Sequence, residues 1–265
     1  MLKHFGLTEN PYSFTANPRY FYVSSLHRMI LKKVEYTVKY RQGLTAVYGD
    51  LGTGKTFLAR VLMDNLMDSE ENRPILITNP KFKSDYHMMK TICANFRIKP
   101  KRSFDEQIVA FQAFLIDMNN KGKIPILILD ESQLLKKQQL EIIRQILNFE
   151  NDTEKLLEIV LLGQLELRTN LLKNPAILDR VSTSSLLQSL GPDDLSGLLQ
   201  FRFQTAGGNP DILTPDFLEF AYIESQGMPR KAIAFCGQIL ELAAMAGVNE
   251  LTAEFAQRAA QDVAR

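Results

Sequence analysis

The sequence predicts an α/β fold, a parallel sheet covered by helices on both faces, followed by a small all-helical region. Three observations carry this. Short apolar runs rich in β-branched residues alternate with longer helical patterns up to about residue 190. Several of these runs are apolar at every position, as a sheet buried on both sides requires. After Gly191-Pro192 the strand-like runs stop and only helical patterns remain.

In chain order, strands are expected at 44–48, 74–78, 124–129, 157–162 and 184–188. Helical patterns cover 56–67 after the first strand, 85–96 and 104–119 before the third, 138–149 after it and 166–173 after the fourth. The C-terminal helices are expected at 193–206, 215–226, 230–246 and 252–263, with Asp193 and Thr252 as N-caps. Gly207-Gly208-Asn209-Pro210, Gly227 and Gly247 separate them. The division is therefore an α/β domain at 1–190, with an N-terminal extension, and a helical domain at 191–265; 265 residues suffice for both.

Composition excludes several classes. At 45% hydrophobic residues the chain can bury a core and is not globally disordered. Cys93 and Cys236 show no CxxC or Cys/His spacing, so neither a zinc site nor a disulfide framework is expected, and a reducing cytoplasm fits. The N-terminus lacks the apolar run of a signal peptide, and no stretch approaches the ~18 apolar residues of a membrane span. The net charge of +1 hides an asymmetry: 26 Lys and Arg against 20 Asp and Glu in residues 1–190, but 5 against 10 in 191–265. Between Pro74 and Arg102, Lys81, Lys83, Lys90, Arg97, Lys99, Lys101 and Arg102 face one acid, Asp85. That surplus suits a polyanion, or is a solvated surface balanced elsewhere in the fold.

Two motifs carry chemistry. Gly49-Asp50-Leu51-Gly52-Thr53-Gly54-Lys55-Thr56 fits G-x-x-x-x-G-K-[ST] between an apolar run and a helical pattern. Its glycines let backbone N–H groups wrap phosphates at a helix N-terminus; Lys55 reaches the β/γ oxygens and the Thr56 hydroxyl can ligate Mg²⁺. The bland alternative is a glycine turn with a surface lysine. The apolar run 124–129 ends in Asp130-Glu131, at the sheet edge where ligands of open α/β sheets bind. There Asp130 would hold the Mg²⁺ shell and Glu131 would act as general base on water; otherwise the two acids cap the helix at 138–149. The run 157–162 ends in Gly163-Gln164, and in a parallel sheet its tip would lie beside the first strand. Gln164 could then bond the γ-phosphate or the attacking water, or be an ordinary loop residue.

Taken together, the chain resembles the AAA+ module of the ExeA/GspA family, close to the TnsC/TniB transposition ATPases. The resemblance rests on Phe5-Gly-Leu-Thr-Glu-Asn-Pro-Tyr-Ser-Phe14, Asn17-Pro-Arg-Tyr-Phe-Tyr22, the GxxGTGKT loop, LDES at 129–132, IVLLGQLELR at 159–168, ILDRV around Arg180 and Gly227-Met-Pro-Arg230. It implies a P-loop AAA+ fold with a five-stranded parallel sheet and a helical lid, ATP and Mg²⁺ as ligands, and hydrolysis at sites between subunits of a ring or helical homo-oligomer. It makes Arg180 the finger that reaches a neighbour's γ-phosphate, with Arg168 as competitor, and Arg230 the γ-phosphate sensor. Phe57 joins the nucleotide loop, and Pro11 and Tyr12 pack near the adenine or else anchor the N-terminus. Phe57, where the family often has a second hydroxyl, and Val181–Ser185, without the Arg and His often found there, depart from the pattern. Full-length secretion-type members continue into a membrane span and a peptidoglycan-binding region beyond the part resembled.

The resemblance leaves the partner open. The first expectation is a regulator of transposition that binds duplex DNA through Lys81, Lys83, Lys99, Lys101 and Arg102 and recruits a transposase. The second is the cytoplasmic ATPase of a secretion or pilus assembly complex, with a protein partner in the membrane. A non-catalytic nucleotide-dependent scaffold is the third, disfavoured by the presence of both Lys55 and Glu131.

Overall fold

In the computed structural model, which describes residues 1–14 and 17–263, five parallel strands form one sheet in the order β2-β3-β4-β1-β5. They are β1 (Leu44–Gly49), β2 (Asn72–Ile77), β3 (Ile124–Leu129), β4 (Glu158–Gly163) and β5 (Val181–Leu187). Helix α1 (Ser25–Lys39) precedes β1, and α2 (Lys55–Met67) follows it. Helices α3 (Asp85–Asn95) and α4 (Phe104–Asn120) lie between β2 and β3, α5 (Lys137–Leu147) between β3 and β4, and α6 (Leu165–Leu172) and α7 (Pro175–Leu178) between β4 and β5.

The burial pattern explains the strand order. Every residue of β3 and β4 is buried, because both strands have neighbours on each side and helices on each face. β5 alternates and β2 is half exposed, as edge strands do, and β2 accommodates Pro74 there. On one face Leu44, Ala46, Leu127, Leu129, Ile159 and Leu161 pack with Met88, Met89, Ile92, Phe111 and Ile143 from the helices. On the other, Val47, Ile126, Ile128, Val160 and Leu162 are equally buried. Ser84 and Ser103 start α3 and α4 by accepting N–H bonds from His87 and Glu106.

At the start of β4, buried Glu158 accepts the Gly43 N–H with both carboxylate oxygens, at 3.0 and 2.9 Å. Burial pushes its carboxyl up to about 8, against the opposing pull of that N–H and of Arg41 and Lys155.

The residues divide into two compact units. One comprises 29–50 and 58–187; the other comprises 1–28, 51–57 and 188–265. The N-terminal segment, which the sequence reading attached to the α/β domain, thus groups with the C-terminal helices α8 (Pro192–Thr205), α9 (Pro215–Ser225), α10 (Pro229–Ala246) and α11 (Ala253–Val263). Leu7, Tyr12 and Tyr20 join Leu195, Leu199, Phe203, Phe217, Cys236 and Leu240 in the core of this second unit. Arg202 of α8 fixes the segment: its guanidinium donates to the carbonyls of Pro11 (2.7 Å), Ser13 (2.8 Å) and Tyr20 (3.2 Å) and lies 5.0 Å from the Tyr20 ring centre.

The structure corrects some local expectations. Helix α1 is not among the expected elements, although Ile30, Leu31, Val34 and Val38 form its buried stripe. Asp193 lies in the first turn of α8, not at its N-cap, because Pro192 already occupies the first helical position after Gly191. Thr252 does accept the Phe255 N–H at the start of α11. β5 begins at Val181, earlier than expected. Both cysteines are free and buried. Among the described residues no helix is long and apolar enough to cross a membrane.

Candidate functional site

The glycine-rich loop leaves the end of β1 and passes directly into α2, whose first residue is Lys55. Gly52 and Gly54 have φ of +89° and +101°, backbone that side-chain-bearing residues rarely adopt and that phosphate-cradling turns use. Thr53 and Lys55 are buried and Thr56 is half-buried. The first residues of α10 pack on this loop: a Cβ at Gly52 would stand 2.9 Å from Arg230 Cβ. The Arg230 guanidinium lies 5.8 Å from the Phe14 ring centre. Loop and Arg230, expected to meet one phosphate chain, are thus neighbours within one unit.

Beneath the loop lies a residue that the motifs do not name. His27 is 3% exposed, and its Nε2 would be 3.3 Å from a Cβ on Gly54. Nδ1 is 2.7 Å from Ser24 Oγ, which fixes the ring. Burial lowers the affinity of His27 for a proton, with the Thr53 backbone and Asp194 opposing. The Phe21 ring sits edge-on to His27 and stacks on Phe57, with centres 5.4 Å apart. A nucleotide contact from Phe57 would therefore come through its backbone. Leu51 is exposed. Pro11 and Tyr12 are buried, and the Tyr12 hydroxyl donates to Leu199 O at 3.3 Å. This burial anchors the N-terminal segment and does not bear on the adenine contact that the resemblance implies.

In the α/β unit, sheet register brings the strand tips level. Tyr48 pairs with Gly163, and Leu129 with Leu161, so Gly49, Asp130-Glu131 and Gln164 share the C-terminal edge. Asp130 is 1% exposed. Glu131 adopts a left-handed backbone, φ 57° and ψ 34°, a strained state for a residue with a side chain. Its Oε2 accepts from Gln133 Nε2 at 2.6 Å and from Gln164 Nε2 at 3.4 Å. Neither acid caps α5, whose N-cap is Lys136 with Gln139 accepting its N–H at 2.9 Å.

The two finger candidates separate cleanly. Arg168, on the exposed side of α6, holds its guanidinium 5.9 Å from the ring centre of Tyr48, near the strand tips. Arg180 is also exposed but precedes Val181, which pairs with Leu44 at the opposite, N-terminal edge. The five basic residues expected to meet DNA, Lys81, Lys83, Lys99, Lys101 and Arg102, are all exposed. The Tyr86 hydroxyl donates to Lys101 O, so the loop before α4 returns to the first turn of α3, close to Lys83. Gln133 and His27 escaped the sequence reading. A polar residue two positions after an acid pair, or a histidine in an amphipathic helix, has no local signature of its role.

A parallel sheet in this strand order, with a phosphate-type loop after β1 and two acids ending β3, defines a P-loop nucleotide-binding protein of the AAA+ class. The chain belongs to the family of AAA domains, whose model matches residues 38–171. It is related to general secretion pathway protein A of Aeromonas hydrophila, with 31% identity over 252 residues, 93% of this chain and 45% of that protein. The chain thus spans less than half the length of that relative. Among solved structures it resembles Cdc6p from Pyrobaculum aerophilum, with a TM-score of 0.67, 16% identity and coverage of 97% of this chain and 72% of that one. It also resembles the ORC2 protein of Aeropyrum pernix in ADPNP-ADP complexes, at 0.63 and 15%, covering 88% and 66%. The RuvB Holliday junction branch migration motor of Thermotoga maritima follows, at 0.54 and 13%, covering 88% and 68%. At these identities the structures share the fold alone.

Proposed function

We propose that the chain is an Mg²⁺-dependent ATPase that works as an assembly switch in a secretion-type complex. The observation that carries this is the shared sheet edge, where the end of β1 that begins the phosphate loop is level with Glu131 and Gln164. The backbone from Gly49 through Gly54 cradles the phosphates, and Lys55 neutralises the β/γ oxygens. The donor set fits Mg²⁺, which prefers phosphate oxygens, water and one or two protein oxygens, here Thr56 and Asp130. Among the described residues no cluster of three or more His, Cys, Asp or Glu side chains forms a separate metal cage. Bound Mg²⁺ supplies charge neutralisation on the triphosphate. Glu131 takes the proton from water, Gln164 orients that water, and Arg230 reads the γ-phosphate. Arg180 of one subunit completes a neighbour's site.

The relationship to general secretion pathway protein A supports the secretion setting over transposition. The deciding experiment measures ATPase rate against protein concentration, with wild type and Glu131→Gln. A rate that rises faster than linearly, and is abolished in the variant, is expected. Mg·ATP binding with no turnover at any concentration would reduce the chain to a scaffold.

A second reading, binding of duplex DNA, is favoured by the exposed cluster of Lys81, Lys83, Lys99, Lys101 and Arg102. It requires DNA affinity that falls steeply with salt and is lost when these residues are changed to Glu. An unchanged ATPase rate with DNA, and no binding at low salt, selects the secretion setting.

A further inference from the structure

We infer that Gln133 is the positioning residue of Glu131, and that it ties Glu131 to the segment carrying Arg180. This rests on the proposal that Glu131 activates water. Gln133 uses both ends of its amide. Nε2 donates to Glu131 Oε2 at 2.6 Å, and Oε1 accepts the Gln164 N–H at 3.0 Å. Fit is close on the acceptor side: a Cβ at Gly163 would stand 2.9 Å from Gln133 Oε1. Only a side chain with a donor and an acceptor on one rigid plane meets both demands. A carboxylate at 133 would lose the donor and face Glu131 with like charge, and an apolar chain would lose both bonds.

The need for such a clamp follows from the backbone. Glu131 is in the left-handed region, so its carboxylate leaves the strand tip at an angle that β3 alone does not fix. Bonds to Oε2 from Gln133 and Gln164 set the plane of the carboxylate and direct the other oxygen, Oε1, as the site for the water proton. A general base needs that defined geometry before its basicity counts.

From Gln133 a chain of hydrogen bonds continues outward. Asn170 Nδ2 donates to Gln133 O at 3.3 Å, and Asn174 Nδ2 donates to Asn170 O at 2.6 Å. Asn174 O accepts from the Ile177 and Leu178 N–H groups, both at 3.1 Å, and Ile177 O accepts from Arg180 N at 3.0 Å. α6 and α7 therefore connect the general base to the arginine at the opposite sheet edge. An arginine seated in a neighbour's site pulls on the same segment that holds Gln133.

The test uses the whole chain and the isosteric variant Gln133→Met. The expected result is a kcat about tenfold lower, with the ATP dissociation constant unchanged. In nucleotide-free wild type, the Gln133 side-chain amide protons should exchange slowly, and their resonances should move in Glu131→Ala. Coupling is read from Gln133→Met, the milder Arg180→Lys, whose residual turnover leaves room for a further loss, and the double variant; on one path, the double falls no further than the worse single. A wild-type kcat in Gln133→Met, or an amide indifferent to Glu131→Ala, overturns the positioning role. Multiplicative losses in the double variant overturn the coupling. A wild-type chain that binds ATP without turnover overturns the functional reading itself, and the role of Gln133 falls with it.

Discussion

Glu131 follows the C-terminal end of β3, whereas Arg180 directly precedes the N-terminal end of β5, so the two lie at opposite edges of one sheet. At about 3.3 Å per residue a six-residue strand separates those edges by roughly 17–20 Å. Arg180 cannot serve the edge that carries its own Glu131, but Arg168 can. The expectation is that Arg180→Ala and Glu131→Gln are each inactive alone and recover activity when mixed, because a mixed contact pairs an intact Glu131 with an intact Arg180. An equimolar mixture that stays inactive, although the variants co-assemble on a sizing column, would count against action between subunits. Arg168→Ala should not complement Glu131→Gln in this way if Arg168 acts within its own subunit.

The loop glycines make a separate forecast. Gly52→Ala meets two obstacles, the positive φ and a 2.9 Å approach to Arg230 Cβ. Gly122 also has positive φ, +65°, but nothing lies within 4 Å of a Cβ there. Both alanine variants should lose about 1 kcal/mol of stability from backbone strain. Only Gly52→Ala should weaken ATP binding by calorimetry, tenfold or more. Equal affinities for the two variants would dissociate the loop from the nucleotide.

Glu158 gives the chain a pH signature. The carboxyl ionises near 4.5 when unfolded and near about 8 when folded. Between those values the folded state holds the extra proton, so stability is full below pH 4.5 and falls as pH rises to 8. His27 acts in the opposite sense: its lowered folded value costs stability as pH drops below 6.5. Urea unfolding between pH 7 and 8, above the range in which unfolded His27 takes up most of its proton, therefore reads Glu158, with a fall of up to about 1.4 kcal/mol per pH unit. Glu158→Gln should flatten it. A slope that persists in the variant would assign the proton elsewhere.

Arg202 anchors the N-terminal segment through three carbonyls. Arg202→Met keeps the aliphatic volume and strands those acceptors, at a cost of about 3 kcal/mol. Limited proteolysis should then cut within residues 11–22 first. Protection equal to wild type would mean that Leu7, Tyr12 and Tyr20 hold the segment by packing alone.

Much of this architecture is readable from residue order because its signals are local. The all-apolar run ending in Asp130-Glu131 reports a central strand tip, and the glycine spacing around Lys55 reports a strand–turn–helix junction; both lie where expected. What escapes is set by partners distant in sequence. Gln133 matters through Gln164, 31 residues away, and Arg202 through carbonyls about 190 residues away. The grouping of residues 1–28 with α8–α11 depends on those same contacts. Helix α1 is a different case: Ile30, Leu31, Val34 and Val38 stand at helical spacing with Lys32, Lys33 and Lys39 exposed between them, so its signal is local and the expected elements simply omit it.

Gly49 has a constraint of its own. A Cβ there would lie 2.2 Å from Leu187 O on the adjacent strand, so no other residue fits without parting β1 from β5. In a saturation screen this position would be as intolerant under selection for soluble expression as under selection for turnover. Loss of function at the opening glycine of the motif therefore reports broken strand pairing before it says anything about phosphate.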